Sequence, residues 1–275
     1  TQMHHGVWRK SAIGSHEVRG RTLGIVGYGN IGAQISVLAE ALGLSVMYYD
    51  VADKLPMGNA HRCDSLEELL QSVDVVTVHV DGRADNTLLF GEQEFSMMRP
   101  RSLFLNLSRG HVVDVAALAD NLRTGHLAGA AVDVYPSEPR SGDEPFVSEL
   151  QSLDNVILTP HVGGSTQEAQ IDIGRYVAGK LIDYSERAST SMSVNLPDIT
   201  TGATPGARIG HLHLNMPGIM ADLNRLVADH GGNVTYQALA TRGELGYTVL
   251  DIDETDRELL VDVTRLEGTI RARVL

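Results

Sequence analysis

Close to its amino terminus the chain reads Thr22-Leu-Gly-Ile-Val-Gly27-Tyr-Gly29-Asn-Ile-Gly32. The apolar run before Gly27 is typical of a buried parallel strand, and the three glycines match the pattern G-x-G-x-x-G. Glycines so spaced allow a tight turn and let a pyrophosphate approach the backbone at the amino end of the next helix. The segment predicts a strand, a phosphate-binding turn and a helix, with a turn that only packs as the alternative.

Apolar segments of strand and helix type alternate on either side of this turn. We expect strands at 22–27, 45–50, 74–80, 102–108, 127–135 and 155–161, with helices after the first turn and at 64–70, 92–98 and 114–125. Strands that alternate with helices indicate a doubly wound parallel sheet. The fold class is therefore α/β, with a Rossmann-type sheet.

The pattern changes in the last third of the chain. One long helix is predicted at 165–188, and the small residues of 201–206 are typical of a linker. From 207 to 275 the order of elements is βαββαβ, which predicts a small open α+β sheet with both helices on one face. The predicted organisation is a dinucleotide-binding domain at 1–163, the long helix and a return segment at 164–200, the linker, and a domain at 207–275.

Composition excludes several classes of function. The net charge of −13 argues against a nucleic-acid or anionic-membrane surface. The single cysteine, Cys63, can form neither an internal disulfide nor a zinc site. Without an apolar run of about 20 residues, a membrane span is not expected. We expect a cytoplasmic protein with no metal.

A carboxylate follows the second predicted strand. Asp50 lies at about the distance from the glycine turn at which an acidic residue hydrogen-bonds the ribose hydroxyls of a dinucleotide. The residues after Asp50 include no arginine that could receive a 2′-phosphate. The predicted cofactor is NAD rather than NADP.

Three charged or titratable residues lie at or just beyond the carboxyl ends of predicted strands, where ligands of such sheets bind. Arg109 offers a planar fork for a carboxylate, and His161 can take a hydroxyl proton near neutral pH. Glu138 could hold the other ring nitrogen of His161. Each residue alone is also compatible with a salt bridge, a solvated turn or a structural histidine.

The chain resembles the D-2-hydroxyacid dehydrogenase family over residues 6–196. The resemblance rests on the glycine turn and on four further segments, Gly6-Val-Trp8, Asn106-Leu-Ser-Arg109-Gly-His-Val-Val-Asp114, Ala131-Val-Asp-Val-Tyr-Pro-Ser-Glu138-Pro139 and Thr159-Pro-His161-Val-Gly-Gly-Ser-Thr166. It implies that Arg109 holds the substrate carboxylate, that His161 is the acid/base and that Glu138 pairs with it. Arg101 occupies a turn position at which glycine is common in the family that this chain resembles.

The same resemblance implies an extended NAD site. The expected cofactor-binding residues are Gly27, Tyr28, Gly29, Asn30, Ile31, Gly32, Asp50, His79, Val80, Ser108, Arg109, Asp133, His161, Gly163 and Gly164.

The tail resembles an ACT domain, a module that pairs edge to edge and binds amino acids. Resemblance to serine-inhibited members implies that His213, Asn215 and Asn233 bind L-serine. Polar residues that only end a strand are the alternative. A metal site built on His211 and His213 is disfavoured because no third ligand lies nearby in the sequence.

Members of the family with such a tail oxidise 3-phospho-D-glycerate with NAD, in the first step of L-serine synthesis, and the resemblance implies a homotetramer. Two alternatives stay open: another D-2-hydroxyacid dehydrogenase, or a non-catalytic module that binds NAD and an amino acid. In the family an N-terminal segment forms most of the substrate domain, and this sequence starts after it. We therefore expect this polypeptide to bind NAD but to turn over poorly alone.

Overall fold

The structure is a computed structural model that describes residues 3–11, 13–204, 206–253 and 257–275. Its contacts divide the chain into two compact units, Thr1–Thr166 and Gln167–Leu275. The predicted domain boundaries differ slightly from this division and stay predictions.

The first unit is built around one parallel sheet. Its strands are β1 (Thr22–Val26), β2 (Ser45–Tyr49), β3 (His61–Arg62), β4 (Val75–Val78), β5 (Leu103–Asn106), β6 (Gly129–Val132) and β7 (Val156–Leu158). Its helices are α1 (Asn30–Ala41), α2 (Leu66–Ser72), α3 (Glu92–Met97) and α4 (Val115–Arg123). The strand order is β3-β2-β1-β4-β5-β6-β7. The order reverses beside β1, so the glycine turn lies at the point where such sheets bind dinucleotides.

Two buried clusters cover the two faces of this sheet. Leu23 and Ile25 of β1 belong to one cluster and Val26 to the other, as the alternation of side chains along a strand requires. Helices α2, α3 and α4 bury residues such as Leu69, Phe95 and Leu118 in the larger cluster, whereas α1 contributes Ala39 to the smaller. The predicted Rossmann-type sheet is confirmed.

The ends of the elements follow local chemistry. The Ser65 side chain accepts a hydrogen bond from the Glu68 N–H at the start of α2, and Asp114 accepts from two N–H groups at the start of α4. Most strands of the parallel sheet are shorter than predicted, and residues such as Asp50, His79 and Ser108, which were expected at the ends of strands, lie just beyond them. The edge strand β3 was not predicted, since two exposed residues carry no strand pattern.

The second unit starts with the long helix α5 (Gln167–Arg187) and continues into a four-stranded sheet. The sheet elements are β8 (Ala207–Leu214), α6 (Ile219–Asp229), β9 (Val234–Arg242), β10 (Leu245–Ile252), α7 (Arg257–Arg265) and β11 (Thr269–Val274). The strands are antiparallel in the order β11-β8-β10-β9, which confirms the predicted βαββαβ arrangement. Residues 254–256, directly before α7, and Pro205 in the predicted linker lie outside the described residues.

Both helices of this sheet pack on one face. Leu223 and Val227 of α6 share a buried cluster with Leu259 and Val263 of α7 and with strand residues such as Ile209. The opposite face carries Tyr247 and Val249, which pack with Ala188 and Ile199 from the segment before the sheet.

In the portion of the chain that the structure describes, no helix combines the length and apolarity needed to cross a bilayer.

Candidate active site and candidate effector site

The predicted NAD and catalytic residues meet at the carboxyl edge of the parallel sheet. The glycine turn follows β1 and Asp50 follows β2, whereas Arg109 and His161 follow β5 and β7. Neighbouring strands lie about 4.8 Å apart, so the five steps from β2 to β7 span roughly 24 Å. The edge thus presents a row of ligand-binding groups from Asp50 to His161.

The three glycines of the turn have different tasks. Gly27 has a φ of +91°, and a Cβ built there would lie 2.7 Å from the His79 carbonyl oxygen. A Cβ on Gly32 would lie 2.2 Å from the Gly27 carbonyl oxygen, whereas one on Gly29 would meet nothing within 4 Å. Gly27 and Gly32 are therefore required by packing, and Gly29 borders open space.

The open space at Gly29 fits a pyrophosphate. Gly29 is the N-cap of α1 and offers no side chain to cap the first N–H groups of this helix. These groups, at Asn30, Ile31 and Gly32, can donate to an anion at the positive end of the helix dipole. The backbone of the turn thus fits the phosphates of a dinucleotide.

Asp50 is held in a fixed orientation beside this turn. Its Oδ2 accepts from the Tyr28 N–H at 2.7 Å and its Oδ1 from the Ala52 N–H at 2.8 Å. Each carboxylate oxygen keeps a further lone pair, so ribose hydroxyls can still donate to Asp50. Tyr28 contributes through its backbone, because its side chain is buried, stacks on Tyr48 at 3.8 Å and donates to Ser36.

Arg109 is exposed and keeps most of its donors available. Its Nη1 donates a hydrogen bond to the Ser108 carbonyl oxygen at 2.7 Å, and this bond orients the guanidinium. Gly110 allows this position, because a Cβ there would lie 1.9 Å from the Tyr135 carbonyl carbon. The Ser108 side chain is buried and donates to Asn106 at 2.9 Å, so it supports the loop that carries Arg109.

Glu138 and His161 form a hydrogen-bonded pair. The distance from His161 Nδ1 to Glu138 Oε2 is 2.9 Å, and Glu138 Oε1 accepts from the Tyr135 N–H at 3.0 Å. Burial raises the pKa of Glu138, but the hydrogen bonds from His161 and Tyr135 outweigh it and hold that pKa below its ordinary value. Because an ionised carboxylate only accepts, Nδ1 of His161 carries a proton, which leaves Nε2 as the atom that can take one up.

Asp133 fixes the backbone that carries His161. Its carboxylate accepts from the Thr159 hydroxyl at 2.5 Å and from the N–H groups of Val162 and Gly163 at 3.0 and 3.1 Å. Burial raises the pKa of Asp133, and these three hydrogen bonds bring it below its ordinary value. His161 has a φ of +53°, which is uncommon for a residue with a side chain, and the bonds on both sides hold it there.

The remaining predicted cofactor residues lie along the same edge. His79 and Val80 follow β4 and are partly buried, and the His79 ring contacts the Thr77 hydroxyl at 3.0 Å. Burial lowers the pKa of His79, so its ring is neutral at physiological pH. Gly163 and Gly164 follow His161 in the loop held by Asp133.

Sequence reasoning missed the positioning roles of Gly110 and Thr159, although each lies beside a predicted catalytic residue.

In the second unit, His213 is not presented to solvent. Its ring is buried, with Nδ1 at 2.8 Å from the Leu214 carbonyl oxygen and Nε2 at 2.9 Å from the Thr248 hydroxyl. A carbonyl only accepts, so Nδ1 carries a proton and donates it to Leu214. Both ring nitrogens are thus engaged within the domain.

The other two predicted effector residues lie apart. Asn215 follows β8 and donates to the Gly243 carbonyl at 3.3 Å, near the start of β10. Asn233 precedes β9, and its N–H donates to Asp253 just beyond the end of β10. Because β10 separates these positions by its whole length, a single chain does not bring Asn215 and Asn233 together.

Comparison with known proteins agrees with both units. Residues 1–163 match the profile described as "D-isomer specific 2-hydroxyacid dehydrogenase, NAD binding domain", and residues 209–271 match that of an AHAS small subunit-like ACT domain. These matches confirm the predicted NAD cofactor and the ACT-like tail.

Two curated relatives are named D-3-phosphoglycerate dehydrogenase. The one from Escherichia coli K12 is 48% identical over 99% of this chain, and the one from Dictyostelium discoideum is 45% identical over 100%. The chain spans 67% and 68% of their respective lengths. A solved D-2-hydroxyisocaproate dehydrogenase superposes with a TM-score of 0.60 at 28% identity, covering 69% of this chain and 61% of that one.

Proposed function

The chain belongs to the D-isomer specific 2-hydroxyacid dehydrogenase family, and from that premise we propose that it oxidises 3-phospho-D-glycerate to 3-phosphohydroxypyruvate with NAD. The observation that carries this proposal is the Glu138–His161 pair, at 2.9 Å, on the same sheet edge as the glycine turn and Arg109. A base, a carboxylate-binding cation and a dinucleotide turn together suit the oxidation of a 2-hydroxy acid.

Arg109 binds and orients the substrate. Its guanidinium can form two parallel hydrogen bonds to the carboxylate and can reach the oxygen on C2. Donation to the Ser108 carbonyl limits its motion, so less entropy is lost when the substrate binds.

His161 moves the proton. Nε2 takes the proton of the C2 hydroxyl as that carbon becomes a carbonyl, and the imidazolium that forms faces the carboxylate of Glu138. When bound, NAD supplies the hydride acceptor. Glu138 holds the ring in one tautomer and stabilises its charged form, and Asp133 fixes the backbone of the loop.

The second unit supports regulation by an amino acid. We infer that ACT domains of separate chains pair within a homotetramer, so that Asn215 of one chain and Asn233 of another bind one L-serine. Asparagine amides can donate to the carboxylate and accept from the ammonium of an amino acid. The separation of these residues within one chain supports a site shared between chains.

The proposal is tested by following NADH absorbance with 3-phospho-D-glycerate, D-lactate and D-glycerate as substrates. We expect the phosphorylated acid to give the highest kcat/KM, and L-serine but not D-serine to lower the rate. A preference for D-lactate would indicate another D-2-hydroxyacid dehydrogenase. NADH binding without turnover of any of these acids would indicate a non-catalytic module.

A further inference from the structure

A cleft of about 510 Å³ lies at the amino edge of the parallel sheet, opposite the dinucleotide turn. Four of the residues that line it directly precede strands of the sheet. They are Arg21 before β1, Asp74 before β4, Ser102 before β5 and Ala128 before β6. The strands are parallel, so this edge is separated from Arg109 and His161 by the length of the strands. The site proposed for hydride transfer makes no use of this cleft.

Three arginines line the cleft, at positions 21, 99 and 101. The Asp74 carboxylate lies 3.8 Å from Arg21 and 3.3 Å from Arg99, and it also accepts from the Thr22 N–H. The other carboxylate in the lining is Glu17, which is exposed. With His16 neutral, the lining carries one net positive charge, in a chain whose net charge is −13.

Arg101 is the cation of this group that lacks a partner. In the part of the chain that the structure describes, its guanidinium has neither an ion pair nor a hydrogen bond, although its N–H donates to the His126 carbonyl at 2.6 Å. Its φ of +68° lies in the left-handed region, which glycine adopts without strain and arginine does not. Arg101 therefore presents to the cleft a cation that no carboxylate of the described residues neutralises.

The lining also contains a hydroxyl without a partner. Ser102 is 3% exposed, and within the described ranges its Oγ forms no hydrogen bond. A buried hydroxyl usually finds a partner, because an unsatisfied one costs free energy. Together, Arg101 and Ser102 leave donors unused at the same end of β5.

We propose that this cleft binds a phosphate monoester. Guanidinium groups match the several oxygens of a phosphate with charge-assisted hydrogen bonds, and three of them border one cleft. The volume leaves room for an organic remainder beside the phosphate. The site is separate from the substrate site, so its occupation is compatible with NAD binding at the carboxyl edge.

The test measures binding by calorimetry in an Arg109→Ala background, which removes the candidate substrate contact at the opposite edge. The probes are inorganic phosphate, 3-phospho-D-glycerate and D-glycerate. We expect both phosphates to bind, the ester more tightly, and D-glycerate to bind most weakly. Replacement of Arg101 by Gly removes the charge and relieves the positive φ, so phosphate binding should weaken roughly fivefold to tenfold while the Tm does not fall.

Two further variants keep the outcome decisive. Arg101→Gln removes the charge but retains a side chain at the strained position, and it should weaken phosphate binding as much as Arg101→Gly. Arg225→Ala removes an exposed arginine of α6 and should leave phosphate binding unchanged. Equal losses in the Arg101 and Arg225 variants would show that net charge alone attracts the anion and would overturn the proposal. So would equal affinity for D-glycerate and 3-phospho-D-glycerate, or undiminished binding in both Arg101 variants.

Discussion

The two units place their histidines in opposite environments. In the nucleotide-binding unit, His161 lies beyond the end of β7, is half-exposed and contacts a carboxylate through one ring nitrogen. In the ACT-like unit, His211 and His213 lie within β8, are buried, and have ring centroids 4.8 Å apart. The difference shows that position relative to the strand end decides whether a histidine can exchange a proton with a ligand.

The hydrogen-bond partners explain the contrast. Glu138 accepts a hydrogen bond from His161, whereas His211 contacts the Thr269 hydroxyl, which already donates to the Val263 carbonyl. His211 must therefore donate from Nε2, and within the described residues its Nδ1 has no partner. Burial, and secondarily the neighbouring His213, lower the pKa of His211 to about 4.

The largest effect is expected from His161→Asn. Loss of the base should lower kcat by roughly 10²-fold to 10⁴-fold, the usual contribution of general acid–base catalysis. NADH affinity, measured by fluorescence titration, should change little because the glycine turn is intact. A kcat within a factor of about two of the wild-type value would contradict the role of His161.

A pair of glycine variants separates folding from cofactor binding within the first unit. Gly27→Ala places a Cβ against the His79 carbonyl at a positive φ and should lower the free energy of unfolding by about 2 to 4 kcal/mol. Gly29→Ala introduces a Cβ into open space, so it should leave stability nearly unchanged and weaken NADH binding on the order of tenfold, about 1.4 kcal/mol.

Chemical denaturation and NADH titration of both variants provide the measurement. If Gly29→Ala bound NADH like the wild type, the open space beside Gly29 would not be the pyrophosphate site.

Arg109→Lys tests the carboxylate contact. Lysine keeps the charge but loses the planar fork, so KM for the hydroxy acid should rise by roughly tenfold. Arg83→Lys is a matched control, because Arg83 is an exposed arginine that pairs with Asp81. Steady-state kinetics should show a normal KM for Arg83→Lys, and an equal rise in both variants would argue against a specific role for Arg109.

An effect on stability alone is expected in the second unit. The unfolded chain protonates His211 near pH 6.5, but the folded chain does so only near pH 4, so stability is complete above pH 6.5 and falls between these values. His211→Asn should flatten this dependence in urea denaturation followed by far-UV circular dichroism, whereas His230→Asn, at a partly exposed site paired with Asp262, should retain it. An unchanged pH dependence in His211→Asn would show that another group causes the loss.

Much of the fold follows from the sequence because the spacing of apolar residues and the residues that begin or end each element indicate the same helices and strands. The apolar run before Gly27 and the capping residues Ser65 and Asp114 locate strands and helices within a few residues. The carboxyl-edge residues Arg109, Glu138 and His161 follow from the parallel sheet. The hydrogen bond between Glu138 and His161 is also expected from the sequence, but the positive φ of His161 is not, because it depends on the carboxylate of Asp133, which lies just beyond the end of β6.

The inward direction of His213 could have been predicted. Alternation places residues 209, 211 and 213 on one side of β8, and Ile209 belongs to the buried cluster under α6 and α7. The assignment of His213 as an effector residue rests on the resemblance to serine-inhibited members and stays a prediction, and in this chain both of its ring nitrogens have partners within the domain. The pairing of chains that would bring Asn215 and Asn233 together depends on a second copy and has no signal in one sequence.

The most direct test of the proposed activity follows the hydride itself. The protein is incubated with NAD and 3-phospho-D-glycerate carrying deuterium at C2, and the reduced cofactor is analysed by mass spectrometry. If Arg109 and His161 serve the oxidation of a 2-hydroxy acid, the NADH formed will carry one deuterium and 3-phosphohydroxypyruvate will accumulate. NADH that carries no deuterium would contradict the assignment.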